Sequence, residues 1–354
     1  MMDRILVVLP NWFGETLFTT PFLRALRQQR PTAFIATLGW PTCKEVLLHN
    51  PHVNELLDYD EHGAHRSLLG KRRLIRTLSA YRFDTAFILR RSRSRAFLLW
   101  LAGVPTRVGY DAAGGGWLLT RRVPVDPALR HKAATYLPLL NAVGLHGPSV
   151  PYEYTVSDHE RRAAREWLAA QRLLNGRPLV ILHPGANWFH KRWAPQRFAA
   201  LGDRLATLQH AHVVITGGPD DTALASSIQR QMTQPALVLA GQTTLRQLGA
   251  CLEQAQLVVS NDTGVLHIAA ALRRPLVALY GPTSPTLTGP LGDPHRIMVL
   301  HHPDCCPQIP CYQPDRPSHA GMEAIGVDEA YAAACEMLAR WAQDAGSREA
   351  SAPR

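Results

Sequence analysis

The five residues Ser-Asn-Asp-Thr-Gly at positions 260–264 carry the clearest chemical signal in this sequence. They follow a branched apolar run and precede a helical pattern, so they stand where a strand passes into a helix. The first NH groups of a helix are unpaired and lie at the positive end of its dipole, which suits a diphosphate. Gly264 would allow close approach of a ligand, and His267 follows one turn later. The alternative is a helix that Asp262 or Thr263 merely caps.

Three other segments of the same half place glycine, amide or charged groups after apolar runs. We expect them to meet the first segment in one cleft, because the carboxyl ends of parallel strands share one edge of a sheet. They are His183-Pro184-Gly185-Ala186 with Lys191, Arg192 and Trp193 soon after, Gly217-Gly218-Pro219-Asp220-Asp221, and Tyr280-Gly281-Pro282-Thr283.

Two common nucleotide-binding motifs are missing. The turn after the first apolar run supplies only Gly14 instead of a full G-x-G-x-x-G, which disfavours a dinucleotide-dependent dehydrogenase. There is also no Walker A string, which disfavours a P-loop ATPase.

Strands and helices must alternate to position these segments. Buried strands are predicted in the first half at residues 4–9, 33–38, 84–89 and 107–110, and in the second half at 179–183, 212–216, 237–239, 257–260 and 276–280. This alternation predicts an α/β chain with two Rossmann-like, doubly wound parallel-sheet domains facing a central cleft. The predicted boundaries are 1–157 and 158–326, followed by a C-terminal helix at 327–345.

Composition is that of a globular chain. Of the 354 residues, 46% are apolar and 19% charged, and no apolar run approaches the length of a membrane-spanning helix. No signal peptide is expected, so a cytoplasmic location is predicted. The six cysteines do not suggest a disulfide framework. Cys305, Cys306 and Cys311 cluster, and we favour loop thiols over a zinc site because no fourth ligand follows at suitable spacing.

Basic residues are concentrated in one segment. Lys and Arg total 38 against 28 Asp and Glu, a net charge of +10, which favours an acidic partner. Ten of these cations lie between Arg66 and Arg95, where the only acid is Asp84. Nucleic acid is disfavoured as the partner, because no recognisable module interleaves aromatic and basic residues.

The ordered strings H-P-G-A, K-R-W, G-G-P-D, S-N-D-T-G-x-x-H and Y-G-P-T resemble glycosyltransferase family 9, the ADP-heptose lipopolysaccharide heptosyltransferases. The opening residues 9–15 and 20–26 resemble the same family, so the resemblance covers nearly the whole chain. It implies the GT-B fold, and it implies transfer of a heptose from ADP-heptose to the lipopolysaccharide inner core. It also implies that the last helix returns to the N-terminal domain.

The resemblance implies that the second half binds the nucleotide sugar. The implied donor-binding residues are His183, Gly185, Lys191, Asp220, Asp262, Thr263, Gly264 and His267. Lys191 and the helix NH groups would stabilise the departing ADP, so we expect direct displacement without a metal or cofactor.

The resemblance places an acidic general base just after the first glycine, where this chain has Glu15 and the family usually has aspartate. A glutamate can accept the acceptor's proton, but its extra methylene moves the carboxylate. Either the site has adjusted to Glu15 or activity is altered or lost. A third possibility is that Glu15 only complements the helix dipole.

The first half is then expected to bind a lipid-linked anionic saccharide. The candidate residues are Asn11, Arg66, Lys71, Arg72, Arg73 and Arg91, with Arg76 nearby. The segment from Arg66 to Arg76 is predicted to be a mobile basic segment at the inner face of the cytoplasmic membrane, and a solvated basic helix is the alternative. Two other functions stay open: transfer with a different donor or acceptor, and a lapsed transferase that only binds at the membrane.

Overall fold

The computed structural model describes residues 3–111, 116–126, 128, 131–147, 151–305, 308–311 and 319–350, with side chains to residue 344. The chain forms two compact units, Met1–Thr155 and Val156–Arg354, called unit 1 and unit 2 below. In the described part of the chain, no helix is long and apolar enough to cross a membrane.

Unit 1 contains a six-stranded parallel sheet in the order β3-β2-β1-β4-β5-β6. Four of these strands were predicted, and the short strands β3 and β6 were missed because they are less apolar. The strands are β1 (Arg4–Val8), β2 (Phe34–Gly39), β3 (Glu55–Asp58), β4 (Thr85–Ile88), β5 (Thr106–Tyr110) and β6 (Arg121–Val123).

Six α-helices accompany this sheet in the described residues of unit 1. They are α1 (Phe13–Leu17), α2 (Thr20–Gln29), α3 (Pro41–Leu47), α4 (Leu68–Tyr81), α5 (Arg93–Leu101) and α6 (Pro138–Asn141). The core beneath α4 and α5 joins strand residues such as Leu6 and Ile88 to helix residues such as Leu78 and Leu99. The central strands are therefore covered by apolar side chains, as their sequences predicted.

Most of the segment predicted to be mobile lies in helix α4, so the prediction of mobility was wrong, while its position at the membrane stays a prediction. Ser67 caps the helix by accepting a hydrogen bond from the Gly70 NH at 3.0 Å. Leu74 and Leu78 lie one turn apart and are buried, which anchors one face of the helix on the core. The basic side chains are exposed on the remaining surface; they are Lys71, Arg72, Arg73 and Arg76.

Unit 2 repeats the same architecture, with a six-stranded parallel sheet in the order β12-β11-β10-β7-β8-β9. The strands are β7 (Leu179–His183), β8 (His212–Ile215), β9 (Ala236–Val238), β10 (Leu257–Asn261), β11 (Leu276–Tyr280) and β12 (Ile297–His301). The helices are α7 (Asp158–Ala170), α8 (Pro195–Leu208), α9 (Thr222–Gln231), α10 (Leu245–Leu252), α11 (Gly264–Ala271), α12 (Pro285–Thr288), α13 (Ala320–Ala324) and α14 (Val327–Ala350).

The last helix that the structure describes, α14, is part of the core of unit 2. Helix α14 packs against α8 and strands β10, β11 and β12, and Ala330, Ala334 and Met337 are fully buried there. The buried indole of Trp193 donates a hydrogen bond to the Ile325 carbonyl oxygen at 2.9 Å. The return of the last helix to the first domain stays a prediction.

Candidate active site

In each sheet, the first and fourth strands of that unit's sequence are neighbours, and the order of later strands runs away from them in opposite directions. These pairs are β1 with β4 in unit 1 and β7 with β10 in unit 2. Connections leave such neighbouring strands in opposite directions, which opens a crevice at their carboxyl ends. Ligand-binding groups are therefore expected in the loops that follow these four strands.

Unit 1 has a cavity of about 330 Å³ at this position. Its wall combines two carboxylates, an amide, three cations and two phenols in a space suited to a small polar ligand. These residues are Asn11, Glu15, Arg90, Arg91, Tyr110, Asp126, Lys132 and Tyr136. The segments that follow β1 and β4 thus supply Glu15 and two of the three cations.

Glu15 lies in the first turn of α1, and its carboxylate is paired with the ammonium group of Lys132. The neighbouring Tyr136 has a raised pKa, because its hydroxyl is buried and because the charge of Glu15 is close. Burial also raises the pKa of Tyr110 to about 12. At neutral pH the cavity therefore presents protonated phenols beside the Glu15–Lys132 pair.

A buried arginine on α5 hydrogen-bonds to the Asn11 side chain. The guanidinium of Arg95, which is 2% exposed, donates to the Leu9 carbonyl oxygen at 2.6 Å and to the Asn11 side-chain oxygen. Glu61 lies 3.6 Å from the same guanidinium. The hydrogen bond from Arg95 fixes the Asn11 side chain at the cavity wall.

The predicted acceptor residues fall into two groups in the structure. Asn11 and Arg91 line the cavity with Glu15. The residues that do not line it are Arg66, Lys71, Arg72 and Arg73, which are exposed just before or on α4. Arg90 and Lys132 are additional lining residues that were not among the predicted site residues.

In unit 2, Asp262 is the centre of a buried polar cluster directly after β10. Its side chain is 6% exposed and accepts hydrogen bonds from Lys191 Nζ at 2.6 Å and Thr283 Oγ1 at 2.7 Å. These residues come from the loops after β10, β7 and β11, so three of the predicted segments do converge. The charge of Lys191 lies beside the start of α11, where helix NH groups favour an anion.

Thr263 is the N-cap of α11, and its hydroxyl accepts a hydrogen bond from the Val265 NH at 3.3 Å. Of the two capping residues considered, Thr263 fills this role, while Asp262 pairs with Lys191 instead. Gly264 is the first residue of α11, and His267 is buried one turn further along. Capping satisfies one helix NH group, so the turn keeps further NH donors for a ligand.

Asn261 joins two of the loops at this site. Its amide nitrogen donates to the Pro184 carbonyl oxygen at 2.8 Å, and its oxygen accepts from the Trp193 NH at 3.2 Å. The loop after β7 is thereby fixed to the end of β10. This connection was not anticipated, because Asn261 was considered only as part of the helix start.

Asp221, the neighbour of the predicted donor residue Asp220, fixes the loop after β8. Its carboxylate accepts a hydrogen bond from the Gly218 NH at 3.1 Å and lies 3.2 Å from the Arg192 guanidinium. A Cβ added at Gly185 would lie only 2.3 Å from the same carboxylate, so a larger residue there would displace the Asp221 side chain. Asp220 is exposed on the neighbouring turn, and its contact with a donor stays a prediction.

His183, at the end of β7, is buried and contacts Thr216 Oγ1 at 3.0 Å. Burial lowers the pKa of His183 to about 4, compared with 6.5 for an exposed histidine. The side chain is therefore neutral at pH 7, which limits its role in donor binding to hydrogen bonding and packing.

We expect acid to destabilise this protein partly through His183. Between pH 6.5 and about 4, the unfolded state binds a proton that the folded state excludes, so the free energy of unfolding falls as the pH falls. The full effect is on the order of 3 kcal/mol. Urea denaturation of wild type and His183→Gln over this range will measure it: the wild type should show the steeper pH dependence, and parallel curves would contradict the assignment.

Two of the clustered cysteines, Cys305 and Cys311, are free thiols, and Cys306 lies outside the described residues. In the part of the chain that the structure describes, no group of three His, Cys, Asp or Glu side chains is placed to hold a metal ion.

Two Rossmann-like units, each with polar side chains after its switch-point strands, match the GT-B class of glycosyltransferases, as predicted. The structure is similar to a family 9 glycosyltransferase from Veillonella parvula, with a TM-score of 0.85, 26% identity, and coverage of 95% of this chain and 97% of the other. It is also similar to Escherichia coli ADP-heptose lipopolysaccharide heptosyltransferase II, with a TM-score of 0.80, 27% identity, and coverage of 96% and 99%.

The sequence comparisons agree with the structural ones. The profile of glycosyltransferase family 9 (heptosyltransferase) matches residues 71–313. Lipopolysaccharide heptosyltransferase 2 of Escherichia coli K12 is 30% identical over 310 residues, which is 84% of this chain and 88% of that protein. The chain belongs to glycosyltransferase family 9, and the predicted family and enzyme class are confirmed.

Proposed function

We propose that this protein transfers a heptose from ADP-heptose to an anionic saccharide of the lipopolysaccharide inner core. Family membership and the names of its relatives support heptosyl transfer in core biosynthesis. The observation that carries the proposal is the cluster of Lys191, Asp262 and Thr283 at the start of α11. A cation beside a helix N-terminus suits a sugar diphosphate.

In the proposed reaction, a hydroxyl oxygen of the acceptor displaces ADP from the anomeric carbon of the heptose. Glu15 accepts the hydroxyl proton, and the ion pair with Lys132 would hold its carboxylate in position. The C–O bond to ADP breaks with its electron pair on the diphosphate. Lys191 and the helix NH groups would stabilise this charge, so the proposed mechanism needs no metal.

The cavity of unit 1 is the proposed acceptor site. Arg90, Arg91 and Lys132 provide the positive charge that phosphates or carboxylates of a core saccharide require. Asn11 supplies an amide for a sugar hydroxyl. Because the acceptor is lipid-linked in this proposal, the protein works at the inner face of the cytoplasmic membrane as a peripheral protein, and the exposed cations of α4 support that location.

Ligand titration will test the donor. Calorimetry with ADP, ADP-heptose and UDP-sugars, each in the presence of a metal chelator, should show binding of the two adenine ligands only. Preference for UDP-sugars would contradict the proposed donor and favour a different sugar. Absence of any binding would contradict the proposal and favour a lapsed transferase, an alternative motivated by glutamate instead of aspartate at position 15.

A further inference from the structure

Helix α5 of unit 1 has an apolar surface on the side that faces away from the core. Its inner side chains, such as Leu98 and Leu99, are buried. Its outer residues Phe97, Trp100 and Leu101 are 44%, 47% and 45% exposed and lie on one face, at i, i+3 and i+4 spacing. A helix on the surface of a soluble domain normally presents polar residues there, so these exposed side chains require another explanation.

A second element extends this apolar surface. Trp117, in the 3₁₀ helix Gly116–Leu118, is 66% exposed. Its ring meets Trp100 edge to face at 6.4 Å between centroids, and Trp100 stacks with Phe97 at 5.6 Å. We call Phe97, Trp100, Leu101 and Trp117 the aromatic patch. Its rings contact one another although each remains open to solvent.

The basic helix α4 lies directly beside α5. The two helices pack together, and near their ends the Ser79 hydroxyl donates to the Ala102 carbonyl oxygen at 3.0 Å. Helix α4 exposes four cations without an intervening acid, and its first residues Leu68 and Leu69 are 81% and 68% exposed. The same side of the sheet therefore combines exposed aromatic, aliphatic and cationic side chains.

We propose that the aromatic patch and α4 together form the membrane-binding surface of this protein, with an anionic lipid bilayer as the occupant. Tryptophan and phenylalanine favour the interface between headgroups and acyl chains, and lysine and arginine favour anionic headgroups. The inference rests on the proposed function only in that the acceptor is lipid-linked.

The charge of this surface favours a bilayer over a second copy of the chain as its binding partner. A symmetric dimer through this surface would bring the cations of two α4 helices towards each other, on a chain whose net charge is already +10. An anionic lipid surface instead neutralises these cations while it takes up the aromatic side chains. The pairing of apolar and basic groups therefore fits lipid better than self-association.

Vesicle co-sedimentation of the full chain will test this inference. The vesicles contain phosphatidylethanolamine and phosphatidylglycerol and no saccharide acceptor. We expect the triple variant Phe97→Ser/Trp100→Ser/Trp117→Ser to bind at least about tenfold more weakly than wild type. A matched control, Trp167→Ser/Leu208→Ser, removes exposed apolar side chains from unit 2 and should bind like wild type.

The charged part of the surface has its own test. The variant Arg72→Glu/Arg73→Glu should lose binding to vesicles that contain phosphatidylglycerol, and salt should weaken the binding of wild type. Unchanged vesicle binding by the aromatic variant would overturn the inference. A second result would also overturn the inference: wild type forms a dimer, and the aromatic variant loses the dimer but binds vesicles like wild type. The patch would then bind a second copy of the chain.

Transfer to a short, water-soluble acceptor separates this inference from the proposed function. The aromatic variant should transfer sugar to that acceptor at the wild-type rate, since the patch residues do not line the cavity of unit 1. Normal vesicle binding with no transfer by wild type would refute the proposed function alone. Normal transfer by wild type with no vesicle binding would refute the membrane surface alone.

Discussion

Replacing Glu15 with alanine should lower the rate of sugar transfer by about 10²–10⁴-fold, the usual contribution of a general base. The variant should still bind ADP with the wild-type affinity, because Glu15 lies in unit 1 and the proposed donor residues lie in unit 2. Turnover measured with saturating ADP-heptose and calorimetric titration with ADP will separate these two effects. Wild-type turnover in the alanine variant would rule out Glu15 as the base.

Three further variants sharpen this test. Glu15→Gln keeps the size of the side chain and removes its charge, so it should be as inactive as the alanine variant. Glu15→Asp keeps the charge but withdraws it by one methylene, so it should retain more activity than the glutamine variant. Lys132→Met removes the ion-pair partner of Glu15, so it should lower the rate of transfer, because the carboxylate is then no longer held in position.

Replacing Lys191 with alanine should reduce kcat/KM by about 10²–10³-fold and weaken the binding of ADP. The variant loses a cation beside the diphosphate. It also leaves the buried carboxylate of Asp262 with Thr283 as its remaining side-chain partner, and that charge would repel phosphate. Initial rates at varied ADP-heptose concentration, together with ADP titration, will measure both losses.

A second lysine provides a matched control for this experiment. Lys44 pairs with Asp58 at 3.3 Å in unit 1, and neither residue lines the cavity there. Lys44→Ala should therefore leave both kcat/KM and ADP affinity unchanged. If Lys191→Ala behaved in the same way, the diphosphate would have to bind elsewhere. Lys191→Arg should be intermediate, because it keeps the charge but not the position of the ammonium group.

The central strands and the donor segments were predictable because their signals are local. Runs such as residues 276–280 are apolar on both faces, which is typical of a strand within a covered parallel sheet. Once the strands are parallel, their carboxyl ends must share one edge. The convergence of Lys191, Asp262 and Thr283 follows from that rule, although their sequence positions span more than ninety residues.

The contacts missed from the sequence depend on long-range packing. Lys132 stands in an irregular stretch without a motif, and only the fold brings it to Glu15. The role of Asp221 in holding its own loop depends on the direction of the turn, which residue type and spacing do not give. The prediction that α4 is mobile was based on its basic residues and overlooked Leu74 and Leu78, which are buried one turn apart.

The attachment of the chain's last part to the donor loops bears on how the protein forms during synthesis. All of unit 1 has left the ribosome long before Ile325 and α14 appear, so that unit can fold early. Unit 2 cannot complete its fold at that stage, because the Trp193 indole has no Ile325 carbonyl to bind, and the sheet has no α14 to cover it, until residues 325–350 have been synthesised. A nascent chain should therefore acquire the cavity of unit 1 first and its capacity to hold a nucleotide later.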